Sequence, residues 1–441
     1  MSQVKLFSSS GGARVAKRSG RQKKQKVKKP LKTLAIWLLV ILCLEGLYFF
    51  CIYTNNSFVK KWRTIYINTA MDTMRHQWLA TYFIPKDVID EVRYEYGLVK
   101  AGTVGKESTW GRTDPAPADQ TPSMSDDNIV TLDPNVTHET DQPDAEELTQ
   151  EELEKQAEEN FYSVFWELDR TSMETYLAEH PDTLANGWEH IYINEAGFDD
   201  KGTSIQSTFG EQVLAIDAYN GVLLLRISGK GYRGVLAVGK DPSRLSIEMA
   251  TTLGTAGQLS GTIAEAHNGV LAMNANGFLD PNGAGNGGLL AGYTMSNGKA
   301  YGDHFSAYAY KRIELHEDDL FYIKDALSPV SEDCTDAAEF TPALIVDGKK
   351  IMDDYWTGEQ PRACIGQSEK YEILMLVIEG RYPLEGILGT SVNNCSEILL
   401  QHKCMQAINL DGGSSAMLWF DGEYVTQSSS SPCLLYTSPS P

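Results

Sequence analysis

No Cys-x-x-Cys pair occurs among the seven cysteines of this chain, so the ligand spacing of a zinc ribbon or knuckle is missing. No Gly-x-Ser-x-Gly run occurs either, and with it goes the nucleophile elbow of a serine hydrolase. The first 32 residues lack any acid while carrying eleven Lys or Arg, and the remainder is short of positive charge, with 27 Lys or Arg against 59 Asp or Glu. A net charge of −32 over residues 33–441 argues against nucleic acid as a partner, because phosphate neutralisation dominates that affinity. A phosphate group in a locally basic pocket stays compatible with it. Of the cysteines, Cys43 and Cys51 fall in an apolar run and Cys433 in the terminal tail. Cys334, Cys364, Cys395 and Cys404 allow three pairings, none selected by sequence, and buried free thiols are the expectation.

Long apolar runs are scarce too; there is one, Thr33 to Tyr53. It has about the twenty residues a helix needs to cross the hydrocarbon core, with Glu45 its only charge. The basic tail 1–32 before it predicts a cytoplasmic N-terminus and an outward-facing remainder. A cleaved signal peptide fits less well, since no small-residue cleavage site follows the run. Residues 54–100 read as a membrane-proximal helical segment. Residues 101–160, rich in Asp, Glu, Pro, Thr and Ser and poor in aromatics, read as a disordered acidic linker. A helical lead-in at 161–199 precedes a domain at 200–427. Residues 428–441 resemble adapter read-through and read as an artefactual tail.

Within 200–427 the pattern is of short strands punctuated by Asn-Gly and Asp-Gly turns, which predicts an α+β domain with a mixed or antiparallel sheet. Gly229 to Gly234 matches Gly-x-Gly-x-x-Gly but is followed by the strand-like VLAV. A helix N-terminus is what a dinucleotide site needs, so a hairpin is expected here. The loop from Asp280 to Gly288 is rich in side-chain oxygens, yet the twelfth position of an EF-hand reading is Ala291, not a bidentate Glu. A sugar-binding loop is the preferred reading, with a divalent cation left open.

The densest chemical signal is Asn409-Leu410-Asp411-Gly412-Gly413-Ser414-Ser415, at the end of a predicted buried strand. Paired glycines permit positive φ and close approach of backbone N–H groups to a ligand, while Asp411, Ser414 and Ser415 add an acid and two hydroxyls. The stretch resembles the LDGGSS signature of the phosphodiester glycosidase family. Asn274 and Asn276 in AMNANGF, Arg362 in PRACIG, and Glu379 and Arg381 in VIEGR resemble further family motifs in the expected order. The resemblance implies a glycosidase that hydrolyses sugar-1-phosphodiesters. In it Arg362 and Arg381 hold the phosphate, and Asp411 or Glu379 activates water or stabilises an oxocarbenium-like transition state. Asn274, Asn276, Asp280, Asn409, Gly412, Gly413, Ser414 and Ser415 bind substrate oxygens.

Three other readings compete: an envelope-glycan binding module without turnover, a transferase of phosphate-linked glycopolymers, and a hydrolase using Ser414 or Ser415 with His304 or His402. The leading reading is a single-pass cell-membrane enzyme, catalytic part outside, acting on envelope polysaccharide or exopolysaccharide. Protease added to intact cells should therefore remove the large domain and spare the basic tail, as read by antibodies to each end. Protection of the domain would reverse the orientation.

Overall fold

The structure, a computed structural model, describes residues 28–73, 76–110, 149–197, 202–279, 286–306, 309–352 and 357–429. It divides into two compact units, Met1–Asn55 and Asn56–Pro441. The first holds the helix Lys28–Tyr53. Within it Lys32–Tyr53 is the one described helix long and apolar enough to cross a membrane. Leu34, Trp37, Leu44 and Phe49 are exposed along it, the state of a helix whose apolar surface no protein core covers.

In the second unit, alternation along the strands sets the layers. Nine strands form one sheet in the spatial order Tyr192–Asn194, Val213–Asp217, Val222–Gly229, Tyr232–Gly239, Ile373–Glu379, Arg362–Ser368, Cys404–Asn409, Ala343–Val346 and Lys349–Lys350. Every neighbouring pair is antiparallel. Side chains alternate between faces with period two. Leu223, Leu225, Leu236, Leu374 and Leu376 point to one side, where they pack with Phe161, Phe165, Met173 and Leu399 from the helices Gln150–Val164, Arg170–Glu179 and Val392–Gln401. Leu224, Val235, Ala237, Met375 and Val377 point to the other, where they meet Ile313, Leu315, Phe321 and Ala338. These come from a five-stranded antiparallel sheet ordered Phe321–Asp325, Lys311–His316, Cys334–Phe340, Thr294–Ser296 and Lys299–Tyr301. The result is a helix layer, a large sheet and a smaller sheet, an α+β architecture. Each fully buried Leu or Ile contributes about 1.5–3 kcal/mol, and a one-residue slip would exchange the two cores.

Local signals explain the element ends. Thr149 and Glu152 form a reciprocal capping box, so the acidic stretch is helical from there, while residues 111–148 lie outside the described residues. Its start is held too: Lys311 Nζ donates to Thr103 O at 2.7 Å, and Ser108 Oγ to Gln406 Oε1 at 2.8 Å. The Gly-x-Gly-x-x-Gly run is the turn of a hairpin, with Gly229 opposite Tyr232. Its last glycine answers to packing, since a Cβ on Gly234 would lie 2.2 Å from Val377 O. Asn297-Gly298, Asp347-Gly348 and Asp421-Gly422 all have both residues at positive φ, as two-residue hairpin turns require. The four cysteines Cys334, Cys364, Cys395 and Cys404 are buried and unbridged.

The smaller sheet buries charge. Arg312 Nε donates to Glu314 Oε1 at 2.7 Å, Arg312 Nη1 reaches Glu339 Oε1 at 3.4 Å, and His316 Nε2 lies 2.9 Å from Glu314 Oε2. Burial alone would raise the Glu314 carboxyl, but hydrogen bonds from His316 and Ser331 and the charge of Arg312 outweigh it and hold it down at about 2. A depressed acid stabilises the fold above its unfolded value and loses that contribution as pH falls through the folded one. The fold should therefore lose on the order of 3 kcal/mol between roughly pH 4.5 and pH 2 from this group alone. Urea unfolding at pH 7 and pH 2 should show the loss, and Glu314→Gln should flatten the acid limb.

Candidate active site

The site is built where the strand Cys404–Asn409 ends. Asn409 is buried, with its Nδ2 donating to Thr341 O at 2.8 Å and its backbone N to Pro342 O at 3.0 Å. Its side chain is spent on fixing the strand end. Beyond it, Leu410 N donates to Ala363 O at 2.7 Å and Gly413 N to Pro361 O at 3.0 Å, so the loop lies against the start of the neighbouring strand Arg362–Ser368. That contact explains both glycines. A Cβ on Gly412 would sit 2.6 Å from Pro361 O, and Gly413 has φ +64 with its Cβ position 3.1 Å from both terminal nitrogens of Arg381. Ser415 N donates to Gly412 O at 3.2 Å. The amides of Asn409, Leu410, Gly413 and Ser415 therefore serve the protein itself.

A three-stranded sheet supplies the opposite wall. Leu418–Phe420 pairs with Leu271–Met273, with Leu418 opposite Met273, which delivers the next residue, Asn274, to the loop. Asn274 Nδ2 donates to Asp411 O at 2.6 Å and its Oδ1 accepts from Met417 N at 3.2 Å, while Asp411 N donates to Ala275 O at 3.1 Å. One side chain thus ties both ends of the loop. Asn276 Nδ2 donates to Tyr293 O at 3.1 Å and Glu339 O at 3.3 Å, and its Oδ1 is buried with no partner among the described residues.

The charged residues divide into two groups. Arg381 has φ +66, and its Nη2 donates to Gln360 Oε1 at 2.8 Å. Its Nε is buried without a partner among the described residues. Burial first, and then the charge of Arg362, lower the Arg381 guanidinium, with Asp411 opposing. Arg362 donates instead to backbone, Nε to Thr390 O at 3.0 Å and Nη2 to Gly358 O at 2.7 Å. Glu379 receives Arg233 Nε at 2.7 Å and Gln427 N at 2.8 Å. A guanidinium on two carbonyls and a carboxylate held by an arginine and an amide are positioning contacts. His402 lies 2.9 Å from Glu211 Oε1 and His304 contacts Glu339. Neither is bonded to Ser414 or Ser415 among the described residues. Asp280 lies outside the described residues.

A cavity of about 640 Å³ opens at the loop, lined there by Asn274, Asn276, Asp411, Ser414 and Ser415. Arg362, Glu379 and Arg381 do not line it; Arg381 backs the loop at Gly413. His267 and Glu248 do line it, 3.5 Å apart. Nothing in the spacing of the sequence singled out this pair, because Glu248 lies in an irregular segment and His267 at the C-terminal cap of the short helix Ser260–Ala266. Among the described residues, no group of three or more His, Cys, Asp or Glu side chains is arranged to hold a metal ion.

The pinned loop carries a test of its own. Gly412→Ala forces a methyl group against a backbone carbonyl that cannot swing away, so the thermal midpoint should fall by an amount matching about 1–3 kcal/mol. An unchanged midpoint in calorimetry would show that the loop is not held as described.

No curated protein matches the chain. Among solved structures, the zebrafish N-acetylglucosamine-1-phosphodiester alpha-N-acetylglucosaminidase catalytic domain, auto-inhibited by its pro-peptide, is 16% identical with a TM-score of 0.38, over 47% of this chain and 75% of that one. A hypothetical protein from Synechocystis is 15% identical with a TM-score of 0.33, over 51% and 63%. Residues 267–433, which carry Asn274, Arg362, Arg381 and the Asp411 loop, match the phosphodiester glycosidase family.

Proposed function

We propose that this chain is a membrane-anchored, extracytoplasmic glycosidase that cleaves the bond between a sugar's anomeric carbon and a phosphodiester, in the metabolism of an envelope polysaccharide or exopolysaccharide. The observation that carries the reading is Arg381, with its buried Nε, unpartnered among the described residues, and its terminal nitrogens against Gly413, in the field of both Arg362 and Asp411. The charge of Arg362 disfavours the Arg381 cation out of water, and an anion bound at the loop in front of Arg381 relieves it. A phosphodiester supplies that anion.

The chemistry asks for little more. The leaving phosphate is weakly basic, so general-acid help matters less than neutralising its charge. Water's oxygen bonds to the anomeric carbon, the carbon–oxygen bond to phosphate breaks, and the electron pair leaves on the phosphate. Asp411 takes the water's proton, or its charge stabilises the positive character at the anomeric carbon. Asn274, Ser414 and Ser415 stand at the sugar, and the open Asn276 Oδ1 accepts from a hydroxyl. Arg362 and Glu379 act through what they hold: Arg362 fixes the strand start behind Gly412, and Glu379 fixes the segment that ends in Arg381. The apolar helix Lys32–Tyr53 after a basic tail supports anchoring with the catalytic part outside.

The test incubates the full chain with a panel of UDP-sugars and sugar phosphodiesters and measures released sugar. Asp411→Asn should lower kcat by about a hundredfold or more with circular dichroism unchanged. Arg381→Lys should mainly raise KM, because a lysine loses the planar fork. Wild-type turnover in Asp411→Asn, or sugar passed to an acceptor glycan and never to water, would overturn the reading.

A further inference from the structure

The cavity beside Asp411 is larger and less polar than a sugar requires. Beyond the loop it is walled mainly by Val222, Ile373 and Met375 of the large sheet and by Ile313, Leu315 and Phe321 of the smaller one, with Thr294 and Asp336 of the smaller sheet also reaching it. Apart from the weakly accepting Met375 thioether, none of the six apolar side chains offers a hydrogen bond, and Asp336 already accepts from the Ile247 and Asn297 amides. A sugar hydroxyl pressed against them would give up its bonds to water without replacement. The polar end at Asn274, Asp411 and Ser414 suits a sugar; the mainly apolar space between the sheets suits hydrocarbon. Protein interiors pack to the density of organic crystals, so a cavity of about 640 Å³ whose far end reaches two apolar sheet faces is a ligand's volume, and apolar walls take hydrocarbon in preference to water.

We infer that the substrate is a lipid-borne glycosyl phosphodiester, with the sugar at the Asp411 loop and the hydrocarbon of its aglycone between the two sheets. A second observation is independent of the cavity: the chain carries a helix long and apolar enough to cross a membrane, and a chain held at a bilayer meets substrates held there. The inference rests on the phosphodiester reading for its chemistry. Water's oxygen bonds to the anomeric carbon, the bond from that carbon to the phosphate oxygen breaks, and the electron pair leaves on an alkyl phosphate monoester. The proton released by water passes to Asp411.

The experiment uses the full chain in phospholipid nanodiscs, with empty discs subtracted. Binding of methyl, butyl and octyl phosphate is measured by calorimetry, and sugar release from glucose 1-phosphate esterified with the same three alcohols is followed alongside. Each buried methylene is worth about fourfold, so octyl phosphate should bind at least about tenfold more tightly than methyl phosphate, with kcat/KM rising in step. Met375→Gln should flatten that slope. Equal affinity across the series overturns the lipid inference, and sugar release from the methyl ester would then leave the phosphodiester reading standing. A steep slope with no sugar released from any ester supports the apolar site and sinks the hydrolase reading. A slope untouched by Met375→Gln overturns the placement of the hydrocarbon between the sheets.

Discussion

The close backbone approach of Gly412 to the carbonyl of Pro361 is the constraint on which the rest of the site depends. It brings the end of one strand onto the beginning of its neighbour, so Asp411 is held at a fixed height above the sheet while its own carbonyl is taken by Asn274. Any side chain at 412 would lift the loop and carry Asp411, Ser414 and Ser415 with it. The same approach brings Gly413 against the Arg381 guanidinium, which places a cation beside an acid in a chain that is otherwise strongly acidic. A site that must bind an anion needs such a local reversal of sign, and it is most effective where water is excluded.

That reversal needs support, because charges out of water are costly when left unmatched. The structure matches them in layers. Glu379, two residues before Arg381, is held by Arg233 and the Gln427 amide. Arg362 is turned onto the carbonyls of Thr390 and Gly358. On the smaller sheet, Arg312, Glu314, His316 and Glu339 pair with one another in the interior, and Asn276 reaches the Glu339 carbonyl from the candidate site. The residues around the loop are thus fixed by hydrogen bonds that do not depend on a ligand, the condition for preorganised binding.

The sequence by itself determined the elements and their punctuation. Apolar alternation and the Asn-Gly and Asp-Gly pairs are local properties, set by the period of a strand and by the few residues that accept positive φ, and the antiparallel hairpins follow from them. The glycine loop was legible for the same reason, since Gly412 and Gly413 answer to a backbone requirement that a short window displays. The apolar helix and the basic tail before it are likewise read from composition. Tertiary structure decided which charged groups meet. Arg362, Glu379 and Arg381 fall within twenty residues and read alike as arginines or an acid beside a buried strand. Only the packing of the segment after Glu379, with Arg381 in a left-handed conformation, sends one guanidinium to the loop and turns the others to structural partners. The cavity is invisible in the sequence, because it lies between two sheets whose facing residues come from positions as far apart as Val222 and Met375. So is the His267–Glu248 pair on its wall. Period and turn chemistry are written in neighbouring residues, whereas electrostatic partners and voids belong to surfaces that exist only once distant strands have paired.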